Sequence, residues 1–281
     1  MLEIMVPVES VRSPGTKYTA QGLGDRLHLI TLGWVLSEKL KGSVRLHLSR
    51  DHWLGKKRES FHEILELFPT RNIELIFHDY SAQDNQDFRR YLLSINIGPQ
   101  DFFYGDFPGW NESRVGIDVS KYLSPIPLLQ RPIESGVSSY ITCQWDSTGS
   151  QRKLSEDEIS KIVDGYKRDG FSVITVGGSA PERKYRDSLS SIAKLISGAE
   201  FHIGVDSGFM HLAQLYLPPE RIHVYSKFGR YWSHHLFRGL KNGIILNAKG
   251  KKMSWLELRY AELRYNSPRL MKFKHSISSK G

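Results

Sequence analysis

The sequence IGVDSGFMHLA, residues 203–213, joins a strand-like apolar run to a helix-like one, so it decides how the second half of the chain is built. Asp206, Ser207 and Gly208 form the predicted turn. The amides of such a turn, together with the N-terminus of the following helix, bind anions. The Ser207 hydroxyl can donate to a phosphate, while Asp206 can orient the amides or bind a sugar hydroxyl. His211 either reaches the same ligand or locks the turn, and an ordinary capped turn with a packed histidine explains the spacing equally well.

The same alternation of short strand-like and helix-like segments continues along the rest of the chain, which predicts an α/β protein. We expect two Rossmann-like domains with parallel sheets facing a cleft, residues 1–134 and residues 135–281. Their boundary lies in residues 98–135, where five prolines indicate irregular structure. Predicted strands cover residues 2–8, 43–48, 72–78, 137–143, 172–176, 200–205, 221–225 and 243–246. Predicted helices cover residues 25–40, 59–68, 84–95, 184–196, 209–216 and 253–265, with one more opened by a capping box at residues 155–158.

A second motif, Gln21-Gly22-Leu23-Gly24-Asp25-Arg26, lies between the first strand and its helix. Its glycines allow a tight turn and a close approach of ligand to backbone. Asp25 then stands at the helix N-terminus, where a carboxylate can act as a general base or can simply cap the helix. Spacing alone favours the cap. The third glycine of a dinucleotide-binding fingerprint is absent.

Composition limits the classes of protein that this chain can be. The 281 residues are 40% hydrophobic and 25% charged, which excludes a wholly disordered or fibrous protein. The net charge of +9 suits an anionic partner, such as a phosphate ester, a nucleic acid or an acidic membrane face. A single cysteine, Cys143, excludes an internal disulfide and a zinc site built on several thiolates, and it fits a reducing cytoplasm. We expect neither a secretory signal nor a membrane-spanning segment.

The stretch Ile203–Ala213 resembles the signature of glycosyltransferase family 9, which includes the ADP-heptose:lipopolysaccharide heptosyltransferases. That signature is an Asp-Ser/Thr-Gly-x-x-His-Leu core after a strand. Gly24 and Asp25, with the helix that carries His28, are similar to the Gly-Asp turn near the N-terminus of that family. The two motifs fall in the two halves of the chain in the expected order.

The resemblance implies a GT-B fold and an inverting transfer of a sugar in one displacement, without a metal ion or other cofactor. It makes Asp25 the catalytic base, with Gly24 and His28 at the acceptor side or the turn. It places the nucleotide-sugar donor on the C-terminal domain. The implied donor-binding residues are Asp206, Ser207, Gly208 and His211, with Arg152 and Lys153 as candidates for the basic residue that contacts the donor phosphates. A solvated surface loop explains the Arg152-Lys153 pair equally well. Independently of the resemblance, Gly177 and Gly178 follow a predicted strand and can bring backbone amides toward the nucleotide.

The partners implied by the resemblance are a nucleotide-sugar donor and a glycan or glycolipid acceptor. The basic surface also suits peripheral contact with an anionic inner membrane face, and nucleic acid is not expected. The chain is shorter than a typical member of the family, and residues 98–135 match no segment of it, so the acceptor stays undefined. Two alternatives remain at this stage: a nucleotide-sugar epimerase on the same fold, and a basic nucleic-acid-binding module.

Overall fold

The computed structural model describes residues 1–8, 22–54, 57–68, 72–103, 116–118, 129, 139–146, 153–177, 188–225, 244–246, 254 and 256. Two compact units divide the chain, one formed mainly by residues 1–130 and the other mainly by residues 131–281. Each contains parallel strands connected through helices, which confirms the predicted α/β fold class.

In the first unit, β1 (Leu2–Met5), β2 (Val44–Leu48) and β3 (Ile73–Phe77) form a parallel sheet in the order β1-β2-β3. The described helices are α1 (Leu23–Leu40), α2 (Arg50–Trp53), α3 (Lys57–Leu65) and α4 (Asn85–Ser94). Residue alternation along the strands puts Leu46 on one face of this sheet and Met5 on the other.

The helices α1 and α4 cover opposite faces of this sheet. In α1, a Cβ at Gly33 would lie 3.2 Å from Cδ1 of Leu46, so the missing side chain lets the helix approach the sheet. From α4, Phe88 and Leu92 pack in a buried cluster with Met5. Since β2 adjoins one edge of β1 and Gln100 forms a parallel bridge to Ile4 at the other, the carboxyl end of β1 is a topological switch point.

The prediction of irregular structure over residues 98–135 is wrong at two places. β4 (Asp101–Phe103) and β5 (Gly116–Asp118) pair in parallel within this segment. Gln100, just before β4, donates its N–H to the Glu3 carbonyl over 2.8 Å. Strands of three residues are too short to show hydrophobic periodicity, so pairing with distant residues defines them and local sequence does not.

In the second unit, β6 (Tyr140–Gln144), β7 (Ser172–Thr175), β8 (Phe201–Gly204), β9 (Ile222–Tyr225) and β10 (Ile244–Leu246) form a parallel sheet in the order β10-β9-β8-β6-β7. The described helices are α5 (Glu156–Arg168), α6 (Leu189–Gly198), α7 (Gly208–Ala213) and a 3-10 turn at Pro219–Arg221.

This strand order places a second topological switch point between β6 and β8. The chain moves from β6 to one side to form β7, and then crosses to the other side of β6 to form β8. Since such crossovers are right-handed, α5 and α6 cover opposite faces of the sheet. The core on the α5 face includes Ile141, Cys143, Ile162 and Ile203. Ligands of open α/β sheets bind beyond the carboxyl ends of the strands that flank such a point.

Helix boundaries follow the sequence with small differences. The capping box is confirmed, because the Ser155 hydroxyl accepts from the Glu158 N–H while the Glu158 carboxylate accepts from the Ser155 N–H. α1 begins at Leu23, two residues earlier than predicted. The predicted helix over residues 253–265 lies outside the described residues except at 254 and 256. No helix among the described residues is long and apolar enough to span a membrane.

Candidate active site

The first candidate group lies where α1 begins. Asp25 is exposed, and its Oδ2 accepts a hydrogen bond of 3.1 Å from the N–H of Gly22, the N-cap residue. A Cβ at Gly22 would lie 2.9 Å from the same oxygen, so glycine makes room for the carboxylate. Asp25 therefore caps its own helix, in the position where the helix dipole stabilises a negative charge.

Capping does not exclude a catalytic role for Asp25. A carboxylate has about four lone-pair sites, so it can accept a backbone N–H and a substrate proton. α1 starts at Leu23, so Gly24 lies in the first helical turn and not in the turn before it. His28 follows one turn later on α1, and its side chain lies outside the described residues.

A row of polar side chains, buried at His47 and His78 and half-buried at Glu3, crosses the sheet of the first unit, and the sequence analysis missed it. His47 Nε2 lies 2.6 Å from Glu3 Oε2, and His47 Nδ1 lies 2.9 Å from His78 Nε2. Burial, reinforced by the neighbouring His47, lowers the pKa of His78 to about 4. The available sequence signal is the alternation of polar Arg45 and His47 with apolar residues along β2, together with the single polar residue Glu3 in β1. Since His78 stays neutral near pH 7, these three side chains join the strands through hydrogen bonds.

The second candidate group lies at the carboxyl ends of β6 and β8. Gly204 ends β8 with φ +155°, and a Cβ there would lie 2.0 Å from the Gln144 carbonyl oxygen. That carbonyl also accepts the Val205 N–H over 3.2 Å. Glycine is required at position 204 because the backbone of β6 occupies the space of any side chain. The two strand ends are thereby locked together at the switch point.

Ser207 is the N-cap residue of α7, but its hydroxyl does not cap the helix. The side chain is buried, and Oγ has no hydrogen-bond partner among the described residues. A buried hydroxyl left unpaired costs about 1–3 kcal/mol. Its position beyond the end of β8 is where a ligand of this sheet type would meet it.

His211 is buried one turn along α7, and its Nε2 lies 4.0 Å from Oδ1 of Asp206. The structure thus brings these two side chains close together. Their spacing is that of an ion pair when the imidazole is protonated. The carboxylate is thus held beside the start of α7, where Asp206, Ser207 and Gly208 form the predicted turn.

Gly177 serves the packing of this turn. It has φ +65°, and a Cβ there would lie 2.3 Å from Cε2 of Phe209. The Phe209 ring, carried by α7, therefore packs directly on the glycine. Gly178, predicted to share a role in donor binding, lies outside the described residues.

Lys153 is exposed in the loop that leads from β6 to α5. The next residue, Leu154, is buried in the core, and Ser155 caps α5. These two contacts anchor the end of the loop beside Lys153. Arg152 lies outside the described residues. Among the described residues no group of three or more His, Cys, Asp or Glu side chains could hold a metal ion.

Gln144, the last residue of β6, is a further candidate that the sequence analysis did not select. Its side chain is 4% exposed, its Nε2 donates to the Asp146 carbonyl over 2.6 Å, and its Oε1 has no partner among the described residues. The sequence signal was a polar residue ending an otherwise buried strand. Two unpartnered polar atoms therefore belong to residues beside the switch point: Gln144 Oε1 at the end of β6 and Ser207 Oγ beyond the end of β8.

Comparison with solved structures identifies the fold. The E. coli ADP-heptose LPS heptosyltransferase II is 11% identical, with a TM-score of 0.54, and the match covers 97% of this chain and 99% of that one. E. coli heptosyltransferase WaaC with ADP is 14% identical over 95% of this chain and 99% of that chain, with a TM-score of 0.48. The match to the iron-containing dodecameric glycosyltransferase TibC from enterotoxigenic E. coli H10407 has a TM-score of 0.46 and 14% identity.

These matches differ in extent and in weight. The chain covers 56% of the length of TibC, and 74% of this chain takes part in that match. The likeness to heptosyltransferase II extends over nearly the whole of both chains and shows that this protein shares the GT-B fold, as the sequence resemblance implied. The two likenesses with TM-scores below 0.5 add nothing to that argument. No protein-family model matches the sequence, and no curated protein matches it.

Proposed function

We propose that this protein is an inverting, metal-independent glycosyltransferase that transfers a sugar from a nucleoside-diphosphate donor to a hydroxyl of a glycan or glycolipid. The observation that carries the proposal is the buried, unpartnered hydroxyl of Ser207 beyond the end of β8. It belongs to a chain whose fold matches heptosyltransferase II along almost its full length. The function of a fold must be argued from its site, and this hydroxyl is the site feature that calls for a ligand.

The donor would be held by the second unit. The Ser207 hydroxyl donates to a diphosphate oxygen, and the backbone N–H groups at the turn of Asp206, Ser207 and Gly208 add further donors. Lys153 and Arg152 supply positive charge. The leaving nucleoside diphosphate gains negative charge as its bond to the sugar breaks, so fixed cations and N–H donors stabilise the transition state more than the ground state. In this mechanism they do the work that a metal ion does in other transferases.

Asp25 would act on the acceptor as the general base. Its carboxylate takes the proton of the acceptor hydroxyl while that oxygen forms a bond to the anomeric carbon. The bond from the anomeric carbon to the diphosphate oxygen breaks in the same step, and its electron pair leaves with the nucleoside diphosphate. Attack opposite to the leaving group inverts the anomeric configuration. The capping bond from Gly22 keeps the carboxylate at the start of α1.

Heptosyltransferase II, which matches this chain along almost its full length, suggests which donor to test first. That protein is an ADP-heptose LPS heptosyltransferase, so an ADP-linked heptose is the first donor to test and a lipopolysaccharide-type glycolipid is the first acceptor. The net charge of +9 favours an acidic acceptor or peripheral contact with an anionic inner membrane face on the cytoplasmic side.

The decisive experiment is a binding screen of the full chain by thermal shift and calorimetry. The ligands are ADP, UDP, GDP, CDP and their sugar conjugates, each with and without EDTA. A ligand that binds only the folded protein raises its stability, by about 2.7 kcal/mol at 100 times its Kd. We expect one nucleoside diphosphate to bind equally well in both conditions. Loss of binding in EDTA would contradict the metal-free mechanism, and no binding by any nucleotide would contradict the donor site. Turnover of the donor without an acceptor would identify an epimerase or hydrolase instead.

A further inference from the structure

The side-chain amide of Gln144 has its nitrogen in a hydrogen bond and its oxygen without one. Nε2 donates to the Asp146 carbonyl over 2.6 Å, so the amide lies at the carboxyl edge of the sheet, against the loop that follows β6. Oε1 is buried and has no hydrogen-bond partner among the described residues. Exchanging the oxygen and nitrogen would place two acceptors against each other at Asp146, so the orientation is fixed by this bond.

Gln144 lies where ligands of open α/β sheets bind, at the carboxyl end of a strand that flanks a topological switch point. Gln144 ends β6, and its own carbonyl is locked to the start of the segment that follows β8 through the Val205 N–H, 3.2 Å away. The segments after β6 and β8 separate at this switch point. A buried acceptor left without a partner destabilises the free protein, and a bound donor group removes that cost.

The chemistry of Oε1 restricts what it can bind. A carbonyl oxygen only accepts hydrogen bonds, and the oxygens of an ionised diphosphate also only accept. Gln144 Oε1 therefore cannot serve the diphosphate, whereas the Ser207 hydroxyl can. The hydrogen-bond donors common to every nucleotide sugar, whatever its base, are the hydroxyl groups of the ribose and of the transferred sugar.

We propose that Gln144 Oε1 accepts a hydrogen bond from a hydroxyl of the donor, and that Gln144 thereby selects donors which carry that hydroxyl. This inference rests on the proposed function, since it assigns a specificity residue to the same donor site. The hydroxyl belongs either to the ribose or to the transferred sugar.

The test compares the wild-type chain with Gln144→Met, which keeps the length of the side chain and removes the acceptor. Calorimetry measures the Kd of ADP, UDP, GDP and CDP, of their 2′-deoxy and 3′-deoxy forms, and of the corresponding nucleotide sugars. We expect the wild type to prefer the ligand that carries the critical hydroxyl about ten-fold over the ligand that lacks it. Gln144→Met should reduce that preference to less than about two-fold. Loss on the deoxynucleotides assigns the ribose, and loss confined to the sugar conjugates assigns the transferred sugar.

Gln214→Met is the matched control. Gln214 is 6% exposed, has both amide atoms unpartnered among the described residues, and follows the far end of α7. Its substitution removes the same chemical group and should leave the ligand preference at its wild-type value. If Gln144→Met does not fold, Gln144→Asn keeps the amide and withdraws its oxygen by one methylene group, with the same expected loss of preference.

The outcomes separate this inference from the proposed function. A wild-type protein that binds nucleoside diphosphates, with a Gln144 variant of unchanged preference, overturns the role of Gln144 and leaves the transferase proposal standing. A Gln144 variant that weakens every ligand equally overturns the selection of a hydroxyl as well. A wild-type protein that binds no nucleotide overturns the proposed function, and the role of Gln144 with it.

Discussion

Replacing Ser207 with alanine should stabilise the ligand-free protein and weaken donor binding, two effects of opposite sign. The hydroxyl makes no capping bond and has no partner among the described residues, so the usual cost of about 1 kcal/mol for losing an N-cap serine does not apply. An unpaired buried hydroxyl costs about 1–3 kcal/mol. Removing the unpaired hydroxyl outweighs a small loss of packing. We therefore expect the free energy of unfolding to rise by about 1 kcal/mol, and the Tm of the second unit by about 2–4 °C.

Binding of the donor should change in the other direction. A hydrogen bond to a charged phosphate contributes about 1.5–3 kcal/mol, so Ser207→Ala should raise the Kd of the nucleoside diphosphate about 10- to 100-fold. Urea denaturation without ligand measures the first effect, and calorimetry with the nucleotide found in the binding screen measures the second.

Ser155→Ala is the matched control, because Ser155 is also an N-cap serine in the same unit. Its hydroxyl accepts the Glu158 N–H over 3.3 Å in a complete capping box. We expect this variant to lose about 1 kcal/mol of stability and to keep its nucleotide affinity. If Ser207→Ala is destabilised as Ser155→Ala is and binds nucleotide normally, the Ser207 hydroxyl is a structural group and the reasoning fails.

Four further predictions follow from other residues. Asp25→Asn should lower turnover about 10²-fold or more and leave the donor Kd within about two-fold, as steady-state kinetics and calorimetry would show; equal activity would remove Asp25 as the base. Lys153→Ala should weaken donor binding several-fold in calorimetry, and an unchanged Kd would remove it from the diphosphate site. Gly204→Ala should lower the free energy of unfolding by more than about 3 kcal/mol in urea denaturation, because its Cβ would lie 2.0 Å from the Gln144 carbonyl oxygen. The control Gly165→Ala, with open space around it in α5, should leave the stability unchanged or raise it. A mild effect at Gly204 would contradict the close approach of β6. The free energy of unfolding should fall as the pH drops from 6.5 to 5.0. Burial lowers the pKa of His78 to about 4 and that of His202 to about 3, so the unfolded chain binds protons in this pH range that the folded chain does not. A free energy of unfolding that does not change with pH in urea titrations would contradict neutral buried histidines.

The polar residues in the core of the second unit show what such buried groups contribute. The Thr142 hydroxyl lies 2.9 Å from Nδ1 of His202, across the paired strands β6 and β8. On the opposite face, the Tyr166 hydroxyl lies 2.5 Å from Nδ1 of His223 and 3.2 Å from the Tyr225 hydroxyl, and burial raises the pKa of Tyr166. These bonds tie strands to each other and to α5, so they account for polar residues in the core without a ligand. His202 and His223 each keep a buried Nε2 without a partner among the described residues, within the sheet. Ser207 and Gln144 differ in position, because their unpartnered atoms belong to residues at or beyond the carboxyl ends of β6 and β8.

Local sequence predicted most of the regular structure because the signals are short-range. The capping box at Ser155 places the start of α5, and the strand-turn-helix pattern around Ser207 places β8 and α7. Contacts between residues that are distant in sequence were not predicted. Gly177 packs against Phe209, a contact between segments about 30 residues apart, and its role in donor binding stays a prediction. The short pair of β4 and β5 has the same origin, since only pairing defines strands of three residues.

The fold class, the positions of the two motifs and the chemistry available to each can be predicted from the sequence, because hydrophobic periodicity, caps and turn residues act over a few residues. Which polar atoms remain without partners depends on the tertiary structure. It joined Gly204 to Gln144 across 60 positions of sequence, placed both beside a topological switch point, and left Gln144 Oε1 and Ser207 Oγ buried and unpartnered among the described residues. Hydrogen-bond satisfaction is a property of all the groups that meet in space, so no local pattern contains it.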